Sequence, residues 1–439
     1  MTEDAPESAV PLSLAAAPPP LAAAAPRRRE RAASPRTWRE RLMVRWVGYF
    51  PLTWAVGLAF VFWPVAALLS VGSLRRRLPW PAATALLMAG ALALSVVVGV
   101  AAGLGSPARV LGAATNISVW VAVAGIIAAV ASRGMGDDFL RALVWVGLAN
   151  SSAAVIGWLL GSHASPLPLL HGLQYSAPEP ARVWLDNLLA EQAWFGGPVV
   201  RSAGMMAYPT WQGAVSAASL LLAIALWQRR DIARRWVLVA QIATAAFGVY
   251  VSYSRVVWMG LAVALAVWLV VALSQRMPGV WLFTGLLAVG VAVTAYALRD
   301  HVASLLASLD ENRPGSSQTR ESIYADTLAL MRTHPFPLLG YGIKATREGS
   351  EINIATHSTY VGIYYRGGLL AVGALAVFLL GPVVHALRHR SAAVAAMATF
   401  PLVPLAFQDY DPGHLLPLYT VAVFALVPLA SPRPPRSAR

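Results

Sequence analysis

Cysteine is absent from the sequence, and charged residues make up only 12% of it. A chain without cysteine forms no disulfide, offers no thiolate to a metal and has no cysteine nucleophile. So little charge excludes an ordinary soluble domain, in which about 25% of the residues are charged. Lysine is also scarce, since Lys344 is the only one in the chain.

Hydrophobic residues, in contrast, supply 57% of the 439 positions. A soluble fold could not bury that much apolar surface, whereas a lipid bilayer accommodates it. The net charge of +14 does not indicate nucleic-acid binding, because the basic residues stand in short clusters between apolar runs. We therefore predict an all-α fold, a polytopic membrane bundle of about 11 or 12 helices with a long extracytoplasmic loop that carries short helices.

Ten apolar runs are long enough to cross a bilayer, which takes about 20 residues of helix. The arginine clusters between them, at 75–77, 229–235, 276 and 388–390, fall on one side of the membrane together with the C-terminus. The positive-inside rule assigns that side to the cytoplasm. The ten runs are 81–104, 110–131, 139–161, 207–227, 236–253, 256–274, 279–298, 358–384, 391–408 and 414–431.

The N-terminal region divides into a polar tail and one ambiguous apolar stretch. Residues 1–45 are rich in Ala, Pro and Arg and predict a disordered basic cytoplasmic tail. Residues 46–74 would reach about 43 Å as a single helix, too short for two full spans. Because both flanks are basic, we expect a hairpin broken near Pro64; the alternative is one span with the tail outside.

The rest of the chain divides at two long polar segments, which hold five of the eight histidines. Any chemistry is therefore expected in these segments, on the extracytoplasmic face. The predicted regions are the N-terminal transmembrane helices 46–161, the first extracytoplasmic loop 162–206, the central transmembrane helices 207–298, the large extracytoplasmic catalytic loop 299–357, the C-terminal transmembrane helices 358–431 and the cytoplasmic tail 432–439.

Arg255 occupies the least favourable position for a charge in the chain. It follows Ser254 between two spans that are joined by almost no loop. A charged side chain at a membrane boundary costs a few kcal/mol unless it finds a partner, which makes Arg255 a candidate functional residue. The alternative is an arginine that extends to the lipid headgroups and has no function beyond that.

The second polar segment contains a dense polar run from Arg320 to His357. A short helix is expected after Arg320, ending near His334 and Pro335. Arginine side chains match phosphate oxygens bidentately, and a neutral histidine can accept a hydroxyl proton near neutral pH. Arg255, Arg320 and His357 together therefore suit a diphosphate ligand, although a lone histidine is more often a satisfied interfacial residue.

Gly340 and Gly342, in Leu339-Gly340-Tyr341-Gly342, allow two interpretations. They could cradle a phosphate with their backbone N–H groups, or they could form a tight turn, which is the commoner use of such a short pattern. For metal binding, the two long polar segments contain no His-x-x-x-His and no Asp-x-Asp, and the chain has no cysteine. A site without metal or other cofactor is therefore favoured.

The order of these motifs resembles the family of O-antigen ligases and polymerases, which assemble bacterial surface polysaccharides. The resemblance covers roughly residues 200–385. It is carried by Arg201 to Gly204 before Tyr208-Pro209, by Ser254-Arg255, by Arg320, by His334-Pro335 and Leu339 to Gly342, and by His357 shortly before Tyr360. Where the family commonly has Asn after the loop histidine this chain has Ser358, and where it often has a carboxylate this chain has Arg366.

The resemblance implies a metal-independent glycosyltransferase in the bacterial plasma membrane. Such an enzyme moves a glycan from undecaprenyl diphosphate to an acceptor hydroxyl on a glycan, lipid or protein, at the extracytoplasmic face and without nucleic acid or cofactor. It further implies that Arg255 and Arg320 hold the diphosphate and that His357 is the base. Arg201, His334, Gly340, Gly342 and Tyr360 are the implied substrate-binding residues.

Two other classes of function fit the apolar runs. A transporter or flippase for a lipid-linked or anionic solute would also need many spans, but transporters usually place their charged residues at the bilayer midplane, not in a long external loop. A structural membrane subunit without chemistry would tolerate substitutions throughout these loops.

Overall fold

The computed structural model describes residues 38–75, 78–160, 201–206, 208–227, 229, 232–275, 316–344, 354, 357–409 and 414–429. Within these ranges the chain is helical and contains no strand, as the all-α prediction requires. The helices are α1 (Trp38–Gly48), α2 (Phe50–Ala55), α3 (Phe62–Leu74), α4 (Trp80–Ala101), α5 (Pro107–Arg133), α6 (Gly136–Leu159), α7 (Pro209–Leu226), α8 (Arg235–Val251), α9 (Arg255–Ser274), α10 (Ser316–Arg332), α11 (Thr359–Arg388), α12 (Ala392–Thr399) and α13 (Leu416–Leu426).

Six of the described helices are long and apolar enough to cross a membrane, namely α4, α5, α6, α7, α9 and α11. Four shorter apolar segments accompany them: α3, α8, α13 and the stretch from Ala392 to Ala406. The protein is thus a multi-pass membrane protein, as predicted. The predicted span 279–298 lies outside the described residues.

Among these six helices, the one with the lowest mean hydropathy is the most buried, and the one with the highest is the least buried. Helix α7 has the lowest mean hydropathy of the six, 1.3, and 78% of its apolar stretch is buried in the protein. Helix α9 has the highest, 2.6, and only 22% of its stretch is buried. Because lipid is as apolar as leucine, a peripheral helix gains from hydrophobic side chains, whereas a central helix can carry polar groups that bond to its neighbours. Helix α7 is therefore central and α9 peripheral.

Polar side chains do join the central helices. Gln212 and Ser216 of α7 are both fully buried, and the Gln212 side-chain amide donates to Ser216 Oγ at 2.9 Å. Ser151 of α6 lies 3.0 Å from the same oxygen, and Ser219 Oγ lies 2.6 Å from the Tyr419 hydroxyl of α13. Uncharged hydrogen bonds of this kind hold helices together where lipid supplies no hydrophobic driving force.

The N-terminal region differs from its prediction at one boundary. Residues 38–45, assigned to the tail, form most of α1, whose Met43, Val44 and Val47 are buried. Four of the residues from 38 to 45 are charged, so their composition alone indicates a polar tail and not a helix with a buried face. The apolar stretch is interrupted at Val56 to Val61, shortly before Pro64, which lies in the first turn of α3. Trp46 Nε1 donates to the Phe62 carbonyl at 2.9 Å, so the two sides of the break pack together.

The C-terminal spans are shorter than the hydropathy predicts. Helix α12 ends at Thr399 and continues as two 3₁₀ turns, Phe400–Leu402 and Pro404–Ala406. Pro401 and Pro404 account for the change, because proline lacks the N–H that a continuing α-helix requires. The turns place the polar residues Gln408 and Asp409 beside the ends of other helices.

Candidate active site

Several helix ends meet at one end of the bundle, and Gln408 connects them. The Gln408 side-chain amide donates to the carbonyl of Thr210 at 3.2 Å, at the start of α7. The Gln408 carbonyl accepts from both the backbone N–H (2.8 Å) and the hydroxyl (2.6 Å) of Thr359, at the start of α11. His414 Nε2 lies 3.1 Å from the Gln408 side-chain oxygen and secures its orientation. We call the region around Gln408, Arg255, Tyr324 and His357 the polar end.

Arg255 is the first residue of α9 and its side chain is exposed at the polar end. The preceding turn places Tyr253 at a left-handed φ of 45°, and Ser254 ends the turn as the N-cap residue of α9. The N-terminus of a helix favours anions, because its first N–H groups have no intrahelical partner. Arg255 thus adds a full positive charge at a place where the backbone already attracts negative charge.

Arg201 stabilises that turn through a hydrogen bond to its backbone. It is buried, and its Nε donates to the carbonyl of Ser252 at 2.8 Å. The sequence resemblance implied a direct contribution of Arg201 to the donor site. At least one N–H group of Arg201 bonds to the turn that presents Arg255, and the contact of Arg201 with the donor stays a prediction.

Arg320 and Tyr324 lie one turn apart on α10 and therefore share a face of that helix. The Tyr324 hydroxyl donates to the carbonyl of His357 at 3.0 Å and lies 3.5 Å from the carbonyl of Ala406. This contact brings α10, and Arg320 with it, to the histidine. Tyr324 was not predicted from the sequence, since an isolated tyrosine on a short helix carries no recognisable pattern.

The pKa of the Tyr324 phenol is shifted by the groups around it. Burial raises the pKa of Tyr324 above its ordinary value; Arg320 and a hydrogen bond with Ser358 act against the rise, and the Asp409 carboxylate adds to it. At neutral pH the phenol is therefore protonated and serves as a donor, not as a base. Arg320, Ser358 and Asp409 all lie within electrostatic range of this one hydroxyl group.

His357 is exposed and adopts a left-handed backbone conformation with φ of 65°. Residues other than glycine rarely adopt this region, although histidine is among those that tolerate it. Ser358 follows as the N-cap of α11, with its hydroxyl accepting from the Val361 N–H at 3.4 Å. At a helix N-cap, serine is about as favourable as asparagine, the residue that the family commonly has at this position.

Neither Arg255 nor Arg320 has an ion-pair partner in the described part of the chain. Other arginines do have carboxylate partners, for example Arg229 with Asp137 and Arg366 with Asp409. Two arginines that have no carboxylate partner among the described residues, at one end of a membrane protein, provide charge for an anionic ligand.

The loop from Pro337 to Gly342 enters a break in helix α11. At Gly368 the backbone is non-helical, with φ of 65° and ψ of −165°. In a continuous helix, Leu369 and Leu370 would donate to the carbonyls of Tyr365 and Arg366. The loop replaces these two bonds with four: Tyr341 N–H to Tyr365 O (2.8 Å), Gly342 N–H to Arg366 O (2.9 Å), Leu369 N–H to Pro337 O (3.0 Å) and Leu370 N–H to Leu338 O (3.2 Å). We call residues 337–342 the inserted loop.

Both glycines of the inserted loop are required by close packing. A Cβ atom at Gly340 would overlap the carbonyl oxygen of Tyr365, and one at Gly342 would overlap the backbone of Val96 in α4. The Gly340 N–H donates to Ser95 Oγ at 3.0 Å, and the Gly342 N–H is bonded to α11. The phosphate cradle considered for these glycines therefore has no donor left, and the tight-turn interpretation accounts for both.

His334 and Tyr360, the remaining predicted substrate contacts, are also engaged within the protein. His334 is buried; its Nδ1 accepts from the Phe336 N–H at 3.1 Å, and its ring meets that of Tyr341 edge to face. The Tyr360 hydroxyl donates to the carbonyl of Leu402 at 2.7 Å. These side chains anchor the inserted loop and the start of α11, and their contact with substrate stays a prediction.

Sequence reasoning missed a buried ion-pair cluster beside this site. The Asp409 carboxylate pairs with the Arg366 guanidinium through one oxygen, and Lys344 Nζ lies 3.1 Å from the other. Arg366 also donates from Nε to the carbonyl of Gly362 at 3.1 Å. Arg366 replaces the carboxylate that the family often has at this position, and the paired carboxylate comes instead from Asp409, 43 residues later. We call Lys344, Arg366 and Asp409 the charge cluster.

Asp409→Asn is expected to destabilise the protein by about 3–5 kcal/mol, because it leaves the buried Arg366 without its counter-charge. Thermal unfolding of the purified protein in detergent measures this. Asp138→Asn is the matched control, since it breaks an exposed pair with Arg141 that contributes about 1 kcal/mol at most. Equal melting temperatures for Asp409→Asn and wild type would show that the pair is not needed for stability.

Comparison with known proteins gives one match, which covers about a third of the chain. A family model described as O-antigen ligase matches residues 240–378. The matched segment runs from α8 into α11 and includes Arg255, Arg320 and His357. No curated protein and no solved structure matches the chain.

Proposed function

We propose that this chain, whose residues 240–378 form a domain of the O-antigen ligase family, transfers a glycan from undecaprenyl diphosphate to an acceptor hydroxyl. The family match supports glycan transfer of the O-antigen ligase type and, with it, a lipid-linked glycan and an acceptor as partners. The identity of the donor lipid, the metal-independent mechanism, the bacterial inner membrane and the extracytoplasmic active face belong to the proposal.

The observation that carries the proposal is the contact between the helix of Arg320 and His357, at the end of the bundle where Arg255 also lies. Both guanidinium groups lie at the polar end without a carboxylate partner in the described residues, and Tyr324 joins the helix of Arg320 to the His357 backbone. A diphosphate leaving group gains negative charge as its bond to the sugar breaks. Arginines at a partly dehydrated membrane boundary stabilise that charge more strongly than they would in bulk water.

His357 takes the role of base in the proposed reaction. The acceptor oxygen forms a bond to the anomeric carbon of the donor sugar, and its proton passes to the His357 imidazole. The bond from the anomeric carbon to the diphosphate oxygen breaks at the same centre, and its electron pair leaves with the lipid diphosphate. Histidine suits this step because its unperturbed pKa lies near neutral pH.

Arg320→Ala is expected to lower the rate of glycan transfer by roughly 100- to 1000-fold, because a charge aimed at the leaving group contributes about that much. The assay uses purified protein in liposomes with the host's lipid-linked glycans, and gel analysis of the products. Arg332→Ala is the matched control: it removes an exposed arginine from the last turn of the same helix and should retain activity. Arg255→Ala should behave like Arg320→Ala.

The pattern of products distinguishes the possible outcomes. A ladder of glycan lengths identifies a polymerase, whereas one transferred block identifies a ligase. Equal rates for Arg320→Ala, Arg255→Ala and wild type would overturn the assignment of the leaving-group site. If wild-type protein with verified folding, donor and acceptor transfers nothing, the transferase proposal fails, and movement of the lipid-linked glycan across the liposome membrane would identify a flippase.

A further inference from the structure

Tyr253 combines a bulky side chain with a left-handed backbone. Its φ is 45°, a region in which glycine is the usual residue because a Cβ atom crowds the backbone. Among the non-glycine residues that the structure describes, only His357 and Arg390 share a positive φ. Backbone strain of this kind collects at functional sites, and His357 is the proposed base. The strained tyrosine in the turn before Arg255 is therefore a candidate for a function of its own.

The neighbours of Tyr253 hold the turn in this conformation. Ser252 is buried, and its carbonyl accepts from Arg201 Nε at 2.8 Å. The Ser252 hydroxyl donates to the carbonyl of Val249 at 2.7 Å and accepts from the Ser254 N–H at 3.3 Å. These contacts do not involve the Tyr253 side chain, so glycine or asparagine at position 253 would adopt the same turn with less strain.

The Tyr253 ring packs beside that of Tyr250, which lies in the last turn of α8. The two ring centres are 5.5 Å apart and the rings are inclined by 49°. Tyr250 is exposed and Tyr253 is partly exposed. A hydrogen bond with the Tyr250 side chain, followed by burial, raises the pKa of Tyr253 above its ordinary value. One such bond uses one of the two O–H hydrogens, so the pair keeps a second donor and several lone pairs. We call Tyr250 and Tyr253 the tyrosine pair.

The turn places the tyrosine pair beside the proposed diphosphate site. Consecutive Cα atoms are 3.8 Å apart, so those of Tyr253 and Arg255 are separated by at most about 7.6 Å. In the proposed reaction Arg255 binds the diphosphate, and the transferred sugar is bonded to that diphosphate through one oxygen. The first sugar therefore lies close to Arg255, and a side chain of the same turn is near enough to contact it.

We propose that the tyrosine pair binds the donor sugar that is attached to the diphosphate, with the Tyr253 ring packed against one face of the sugar; this inference rests on the proposed function. The C–H bonds on the face of a pyranose ring carry partial positive charge, and the face of an aromatic ring carries partial negative charge. The phenol hydroxyls are suited to bond with the sugar hydroxyls. The same turn thus supplies a cation for the diphosphate and an aromatic surface for the sugar.

Aromatic residues at a membrane boundary also have a common use without a specific ligand, as anchors at the headgroup level. Trp236, exposed in the first turn of α8, fits that use at the other end of the helix. An anchor needs only an exposed ring, which Tyr250 already supplies from a regular helix. Anchoring therefore does not account for a tyrosine in a strained conformation at position 253.

Binding of two lipids that differ only in the glycan tests the inference. Native mass spectrometry of the purified protein gives the Kd of undecaprenyl diphosphate that carries the host's glycan and the Kd of undecaprenyl diphosphate alone. Tyr253→Asn removes the ring and introduces a residue that tolerates the left-handed φ. It is expected to weaken binding of the glycan-bearing lipid about tenfold and to leave binding of the bare diphosphate unchanged.

Two further variants provide matched comparisons. Tyr253→Phe keeps the ring and is expected to bind the glycan-bearing lipid within about threefold of wild type, since it loses only one hydroxyl. Trp236→Ala removes an exposed aromatic side chain from the opposite end of α8 and should bind both lipids as wild type does.

The melting temperature separates a role in binding from a purely structural one. Because asparagine relieves strain at this φ, the melting temperature of Tyr253→Asn is expected to be no lower than that of wild type. The KM for the lipid-linked donor is expected to rise about tenfold in the transfer assay, in line with the loss of affinity. A lowered melting temperature with unchanged Kd and KM would show that Tyr253 is structural and would refute the inference.

The remaining outcomes separate this inference from the proposed function. Equal weakening of both lipids in Tyr253→Asn would overturn the inference, because the contact would then be with the diphosphate or the lipid chain. If wild-type protein transfers no glycan and yet Tyr253→Asn weakens binding of the glycan-bearing lipid alone, the proposed function fails and the sugar site stands. Wild-type binding and transfer rates in Tyr253→Asn would overturn the sugar site and leave the proposed function intact.

Discussion

Replacing His357 with asparagine is expected to lower glycan transfer by roughly 100- to 10,000-fold, the contribution typical of a general base. Asparagine is chosen because it tolerates the left-handed φ of 65° found here, whereas alanine would add backbone strain. The backbone bond from the Tyr324 hydroxyl to the carbonyl of residue 357 is retained by any side chain. The substitution therefore removes the imidazole and keeps this backbone contact.

The measurement is the initial rate of glycan transfer in proteoliposomes with equal amounts of folded protein. His389→Ala provides the matched control, since His389 is an exposed histidine at the opposite end of the same helix, α11. Its rate should match that of wild type. A folded His357→Asn variant with the wild-type rate would exclude His357 as the base and would leave the arginine assignments intact.

Gly342→Ala is expected to destabilise the protein by about 3 kcal/mol or more. The residue has a φ of 69°, where a side chain costs about 1–2 kcal/mol. An added Cβ would also overlap the backbone of Val96, and overpacking costs about 1–3 kcal/mol. Backbone atoms in the middle of α4 cannot move aside as a flexible side chain could. Thermal unfolding in detergent measures the loss.

Gly373→Ala is the control for this variant, because an added Cβ there meets no atom within 4 Å and the residue lies inside α11. It should leave the melting temperature unchanged or raise it, since alanine favours a helix by up to about 1 kcal/mol over glycine. If Gly342→Ala were as stable as wild type, the inserted loop would not be packed against α4 as described.

The membrane helices could be predicted closely because one physical requirement determines them. A span must satisfy its own backbone hydrogen bonds and present apolar side chains, so hydropathy alone locates it. The run predicted at 81–104 is the helix Trp80–Ala101, and the one predicted at 256–274 is Arg255–Ser274. Residues 38–45 differ from their prediction, because they form most of α1, a helix that packs Met43, Val44 and Val47 against the bundle in spite of its four charged residues.

The candidate site could be predicted only in part. Arg255 and His357 attract notice in the sequence because ionisable residues are rare in apolar surroundings. The pairing of Arg366 with Asp409 could not be predicted, since the two residues are 43 positions apart and meet only after α12 and its 3₁₀ turns reach the polar end. The hydrogen bond from Arg201 to Ser252 could not be predicted from the sequence either, because it joins two segments that are 51 residues apart.

The break in α11 makes the helix and the inserted loop one cooperative unit. Gly368 lies nine residues into the helix, about 14 Å along its axis. At that depth no water replaces a lost partner, so withdrawing the loop would leave two carbonyls and two N–H groups of α11 unbonded, together with the matching groups of the loop. Local unfolding of the inserted loop is therefore coupled to local unfolding of α11. The part of α11 between Ser358 and Gly368 is therefore joined to the part after Gly368 through the backbone of the inserted loop, a segment from elsewhere in the chain.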